Sequence, residues 1–365
     1  MMKTCISITV LALILGSCIQ APKEESLANY IPPNFSSNLS WKTESTGMGD
    51  LAIKGFAWNG STYIAVGEGI IASSSDGKKW KENTAEKNNW NTGTDHIYFN
   101  SVVWGNNQFV AVGYWVKRTV SMGVIAVSNS NGENWNIVLA PVLTADISNG
   151  TLKVDPKLYG ITYGGGRYVA VGERGWSAWS IDPDDTDKWN EVWITPFSEY
   201  GMEQVNQNAT AIAYGNGRFV VGGTMGKLAY SPNGIAWTWI ANGILDGEFS
   251  HILALGYEGG RFIVAGSGGS IKIYEGGEME NISSWSTVNS GITTDITAVT
   301  YGNGYYLAVG GGGKIAVSRN TYSWVVVPHK GWDNSDNMHC AIFGDRFIIG
   351  GQAGESGQSK IIYSE

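Results

Sequence analysis

Residues 297–310 read TAVTYGNGYYLAVG, two runs of β-branched and aromatic residues on either side of a Gly-Asn-Gly hinge. Such alternation around a turn that needs positive φ predicts a β-hairpin. Residues 210–222 (TAIAYGNGRFVVG) and 159–172 (YGITYGGGRYVAVG) are near copies. The unit occurs seven times, each second strand stopping at a small-residue Val-Gly or its equivalent: Gly67, Gly113, Gly172, Gly222, Gly266, Gly310 and Gly350. Consecutive stops lie about 40 to 60 residues apart, a period at which repeats build propeller blades or solenoid units.

Downstream of each stop comes a second signature: an apolar pair, a Ser, an Asx-Gly turn and a Trp. Ile71-Ala72, Ser74, Asp76-Gly77 and Trp80 show it, and Leu228-Ala229, Ser231, Asn233-Gly234 and Trp237 repeat it. Ile315-Ala316, Ser318, Asn320 and Trp324 follow the same order, as do Ser128, Asn131-Gly132 and Trp135 with one residue inserted. Asx-Gly supplies the turn, and the indole offers a large surface for burial between sheets. Each unit therefore has four strands. Trp strands stand at Trp80, Trp135, Trp189, Trp237, Trp285 and Trp324, one fewer than the hairpins, because the chain ends at Ile361-Ile362-Tyr363-Ser364-Glu365. The missing strand is supplied at the other end by Asn38-Leu39-Ser40-Trp41-Lys42. The expected fold is all-β, a seven-bladed β-propeller of four-stranded blades, with the N-terminal strand joining the C-terminal blade so that the ring has no open inner edge.

Lys3, the apolar stretch 6–15 and Leu15-Gly16-Ser17-Cys18 read as a targeting segment too short for a comfortable membrane span. Leu-small-small-Cys resembles the lipobox of bacterial lipoproteins, which implies cleavage before Cys18 and lipidation of Cys18; an ordinary secretory signal with a chance cysteine is the alternative. Ile19 after the Cys implies, by the same resemblance, the outer membrane rather than the inner. The division expected is a signal peptide over 1–17, a lipidated Cys and flexible tether over 18–37 and one propeller domain over 38–365. Pro22, Pro32, Pro33 and a Lys-Glu-Glu cluster give the tether little to bury.

Fifty Gly against nine Pro is a composition of tight turns, and a formal charge of −8 argues against nucleic acid, whose backbone demands clustered cations. Of three cysteines, Cys5 leaves with the signal and Cys18 carries lipid, so Cys340 has no intramolecular partner and packing alone holds the blades.

The Ser-x-Asx-Gly-x-x-Trp element resembles the Asp-box (BNR) repeat of sialidase-like propellers. The whole repeat is similar to the propellers of photosystem II assembly factors and of many bacterial lipoproteins. In most units the turn is a residue shorter than the full box and the Asp is often Asn; Ser180-Ile181-Asp182 starts a box that Pro183-Asp184-Asp185 stretches. The resemblance implies fold, since in that family the box lies away from the catalytic centre.

A sialidase needs three converging arginines, and the Phe/Tyr-Arg-Ile-Pro motif that supplies the first is absent. Arg167, Arg218, Arg261 and Arg346 share one repeat position after the hairpin glycines, as a structural role requires; only Arg118, Arg174 and Arg319 fall outside it. His96, His251, His329 and His339 are scattered without metal-ligand spacing. Cys340 stands in a column otherwise made of Gly55, Ser101, Gly160, Ala211, Ala254 and Ala298, which makes it a space-filler. No catalytic residue, metal or cofactor is expected.

Two polar columns are expected near the axial mouth: Ala52, Tyr98, Lys157, Asn208, His251, Asp295 and Asn337, then Lys54, Asn100, Tyr159, Thr210, Leu253, Thr297 and His339. Both a specialised pocket and a water-filled channel fit them. Above them the longer loops 114–118 and 173–176, with Trp90, Trp332 and Glu68, collect aromatics and charges. The ligand-binding set expected is Trp115, Arg118, Glu173, Arg174, Trp176, Trp332, Glu68, His251 and His339. The function expected is a monomeric, envelope-anchored binding or assembly scaffold for a glycan or an envelope protein, held to the membrane only by its lipid and facing periplasm or exterior. The alternative is a glycan-processing hydrolase with a non-standard site, through Glu68 or Glu173.

Overall fold

The computed structural model describes residues 39–45, 48, 52–83, 95–118, 120–128, 131–141, 143–147, 150–194, 207–241, 244–245, 250–352 and 358–365. The targeting segment, Cys18, the tether and Trp90 lie outside these residues.

Seven four-stranded antiparallel sheets form a closed ring, each innermost strand packing on the next and the last on the first. Numbering blades by their hairpins, the innermost strands are Ile53–Trp58, His96–Gly105, Leu158–Gly164, Ala209–Gly215, Ile252–Glu258, Ile296–Gly302 and Asn337–Phe343. A two-stranded hairpin, Leu143–Ile147 with Gly150–Val154, is inserted between blades 2 and 3. Blade 7 closes as expected: Trp41–Ser45 is its fourth strand and pairs with Ser359–Ser364, Trp41 opposite Ser364 and Ser45 opposite Lys360. The seal continues past the strand, where the Glu365 N–H donates to Ser40 O at 3.0 Å and Lys42 pairs with Glu365 at 2.5 Å.

Every blade carries the same β-bulge. Pairing of the first two strands skips one residue, between Ile53 and Gly55 in blade 1 and at the matching place in the other six. The skip turns the preceding carbonyl onto the stop glycine. A Cβ on Gly67, Gly113, Gly172, Gly266 or Gly310 would lie 1.8–2.3 Å from the carbonyl oxygen of Ala52, Tyr98, Lys157, His251 or Asp295, which only glycine tolerates. In blades 4 and 7 the glycines at that register are Gly223 and Gly351, so the expected stops Gly222 and Gly350 stand one residue early.

The apolar residues gather in seven clusters, one at each boundary between blades. Three of the blade Trp are pinned to their own turns through the indole N–H: Trp80 to Gly77 O, Trp135 to Gly132 O and Trp324 to Thr321 O. Ser74, Ser231 and Ser318 hydroxyls accept the turn amides of Gly77, Gly234 and Thr321. The turn then packs on the preceding blade, where Gly77 touches Ile348 and Gly132 touches Ile64. The four periodic arginines are structural here: Arg167 lies over Trp179, Arg218 over Tyr230, Arg261 over Tyr322 and Arg346 over Tyr363.

Candidate functional site

The two polar columns form two lacing systems. Where the chain leaves the second strand it makes a tight turn whose central residue has positive φ: Arg174 (56°), Met225 (58°) and Gly268 (65°). The amide of each is taken by a first-column side chain of the next blade, Asn208 Oδ1 at 3.1 Å, His251 Nδ1 at 3.2 Å and Asp295 Oδ1 at 3.0 Å. The second column consists of the bulged residues, which a bulge re-aims out of the sheet. Asn100 donates to Leu158 O at 2.7 Å, Thr210 to Ile252 O at 2.5 Å and Thr297 to Met338 O at 2.6 Å, each reaching the next blade.

Over blades 1 to 3 the first-column caps give way to something else, although Asn100 still laces blade 2 to blade 3, and a backbone bridge from Gly311 to Asn337 likewise joins blades 6 and 7. Between blades 1 and 2 the backbone makes the connection, through a Glu68–Tyr98 bridge and the Gly69 N–H on Ile97 O at 2.7 Å, so the Tyr98 side chain is not used as a cap. Tyr98 stacks on Tyr114, centroids 4.9 Å apart and planes 13° from parallel. Blade 2 has no tight turn after its stop, because its second and third strands run on as Gln108–Lys117 and Val120–Ser128. Lys157 of blade 3 therefore has no turn to cap, and its ammonium lies 5.0 Å from the Tyr114 ring centre. Glu173 completes the group: it accepts the Lys157 N–H and the Tyr159 hydroxyl, both at 3.3 Å, and its carboxylate is 3.9 Å from the Lys157 ammonium. Burial first, and then neighbouring Tyr98, Glu68 and Glu173, raise the Tyr114 hydroxyl above the usual tyrosine range. Burial and then Glu173 do the same to Tyr159. Both stay protonated, as hydrogen-bond donors, at neutral pH.

Below this sector the axis opens into a cavity of about 600 Å³ lined by all seven bulged residues and the small column that includes Cys340. Lys54 and His339 meet on its wall, Nζ to Nε2, at 3.2 Å. Burial, with the Lys54 charge second, pushes His339 down to about 4, while burial lowers Lys54 against the pull of Glu68. At neutral pH the ring is an acceptor and the ammonium a donor. Glu258, at the far end of the blade 5 strand, also lines the cavity; its carboxylate accepts the Tyr301 N–H at 3.0 Å, and burial pushes it up to about 7.

The expected ligand-binding residues divide accordingly. Glu68 and Glu173 are both close enough to Tyr114 for their charges to be felt, and His339 joins Lys54 in the cavity wall. His251 is a cap in the lacing, as described above. Arg174 supplies a turn amide, and the exposed Arg118 donates its backbone N–H to Asp95 at 3.3 Å. The tryptophan expectation needs correction. Trp176, 1% exposed, and Trp332, 7% exposed, belong to the clusters between blades 2 and 3 and between blades 6 and 7. Trp115 packs against the cluster between blades 1 and 2. On a strand neighbouring side chains alternate in direction, so Tyr114, not Trp115, stacks with Tyr98. The extended second strand of blade 2, where a short turn was the rule, was the available signal.

No protein-family model and no curated protein matches the sequence. Among solved structures, the chain is similar to YCF48 bound to D1 peptide, with 17% identity over 92% of this chain and 97% of that one and a TM-score of 0.57. YCF48 from Cyanidioschyzon merolae is 14% identical over 89% and 98%, TM-score 0.60. The WD40 β-propeller domain of Doa1 is 14% identical over 90% and 96%, TM-score 0.57. At these identities the likeness is one of fold, and the fold the chain shares with them is the ring of blades.

Proposed function

We propose that this chain is a non-enzymatic scaffold whose mouth face, over blades 1 to 3, binds an extended segment of a partner protein of the bacterial envelope, with lipidated Cys18 as its anchor. The observation that carries the reading is the replacement of the first-column turn caps by the Tyr98, Tyr114, Lys157, Tyr159 and Glu173 group. In a repeat protein, a departure from the common pattern that assembles half-buried rings, hydroxyls and opposite charges is a place for recognition. A polypeptide suits it better than a sugar ring, because Tyr114 is already engaged by a stacked ring and an ammonium. The solved complex of YCF48 with a peptide supports a peptide-binding role for a propeller of this layout. The Glu173 oxygens are engaged by Lys157 and Tyr159, an arrangement that positions those two groups instead of meeting a glycosidic oxygen.

The test places a photo-crosslinking residue at position 114 of the full chain in cells, and another at Ile181, an exposed outer-rim position. Position 114 is expected to give a discrete polypeptide adduct that Lys157→Met diminishes, and Ile181 none. Equal adducts from both positions, or none from 114, would overturn the reading. Turnover of a glycoside panel that Glu173→Gln abolishes would replace it with the hydrolase.

A further inference from the structure

We propose that the axial cavity is a binding site for a small organic monocarboxylate, whose carboxylate meets the Lys54 ammonium and whose carbon chain lies along the apolar wall. A volume of about 600 Å³ is that of a small-molecule pocket, and the lining is mixed, apolar side chains standing beside convergent polar groups. Phe56, Ile212, Leu255 and Val299 supply the apolar lining. Lys54 supplies the charge. Its ammonium carries three donors, and its hydrogen-bond partner is the single acceptor nitrogen of His339. Among the described residues no carboxylate lies within ion-pair distance of it, although Glu68 is close enough for its charge to be felt. A half-buried cation with donors to spare, facing a cavity, is completed by an anion.

The rest of the lining narrows the ligand. Glu258 brings a carboxyl group to the other end, already holding the Tyr301 amide, so above about pH 7, where it is ionised, a second negative charge on the ligand would face repulsion there. Between the ends, Thr210 and Thr297 donate their hydroxyl protons to carbonyls of the next blade, leaving oxygen lone pairs but no proton for the ligand. One carboxylate on an apolar body meets these conditions. The site adjoins the mouth surface at Tyr159, but the variants that test it leave that residue in place, so either reading can fail without the other.

Butanoate is the probe, titrated calorimetrically into the full chain at pH 8, where Glu258 is ionised, with 1-butanol, chloride and glutarate alongside. Butanoate is expected to bind saturably, 1-butanol not at all, and chloride and glutarate more weakly. Lys54→Met should weaken butanoate by about tenfold or more, the loss of a charge-assisted hydrogen bond, while Lys54→Arg stays within a few-fold of wild type. Should Lys54→Met not fold, Leu253→Trp, which fills the cavity from a position outside the lacing, is expected to abolish binding. Chloride binding as well as butanoate, or butanoate affinity unchanged in Lys54→Met or Leu253→Trp, would overturn the proposal.

Discussion

At Glu258 the chain departs from its own rule. The other hairpins from blade 2 onward place Gly105, Gly164, Gly215, Gly302 and Gly344 there, each tight against an aromatic ring of the next blade. Glu258 instead folds back over Gly256 and holds the Tyr301 amide. Its carboxyl is raised from 4.5 to about 7, mainly by burial. The folded chain thus binds this proton more tightly than the unfolded one. The resulting stability is complete below about pH 4.5 and is lost as pH rises toward 7. Glu258→Gln keeps an acceptor for Tyr301 and removes the charge. It should be more stable than wild type at pH 8, on the order of 2 kcal/mol, with the gap closing by pH 5, as read by urea denaturation. His339 acts in the opposite sense: lowered from 6.5 to about 4, it costs stability as pH falls through that window. Comparing the two proteins at each pH cancels its contribution. Neither residue was marked by the sequence as a titrating group of the cavity, because burial depends on the neighbours that ring closure brings. His339 could be placed in its column, but its partner Lys54 lies in another blade.

The innermost hairpin was legible because its consequences are steric. Glycine at the stop follows from the bulge carbonyl beside it, and that requirement recurs in each blade. The bulge itself was not legible, since the skipped residues range from Lys54 to Leu253 and share a position without sharing a chemistry. Strand direction defeated the reading of Trp115: without a fixed register, loop and strand look alike, and a one-residue change of phase turns a ring from the mouth into the core. The fourth strand of blade 7 is the element whose sequence signature was clearest, and its removal is the sharpest test of the ring. Deleting residues before Gly47 takes away a five-residue strand, the Lys42–Glu365 pair and the Trp41 ring 6.4 Å from Phe347. The truncated chain should lose several kcal/mol and melt well below the full chain, by differential scanning calorimetry. An unchanged melting temperature would show that blade 7 holds without it.

Seven separate cores mean that the molecule is stabilised boundary by boundary, with the central cavity left for solvent or ligand. Among the described residues no helix is long and apolar enough to cross a membrane. Under the proposed anchoring, Cys18→Ala should therefore move the protein from the membrane pellet to the soluble fraction on fractionation; a variant that still pellets after a salt wash would argue against the lipid. The closure of blade 7 carries a further consequence for how the ring is assembled. Its seal joins Trp41, among the first of the propeller residues to be synthesised, to Ser364 at the far end of the ring, so the circle stays open until the last blade has been made. A seal made from the first and last strands of one ring is also one that two chains can exchange: the leading strand of one molecule fits the final blade of another with the same register. During refolding at high concentration such trading would link open rings into swapped dimers or strings, whereas in dilute solution each chain's own leading strand is the nearest candidate and the ring shuts on itself.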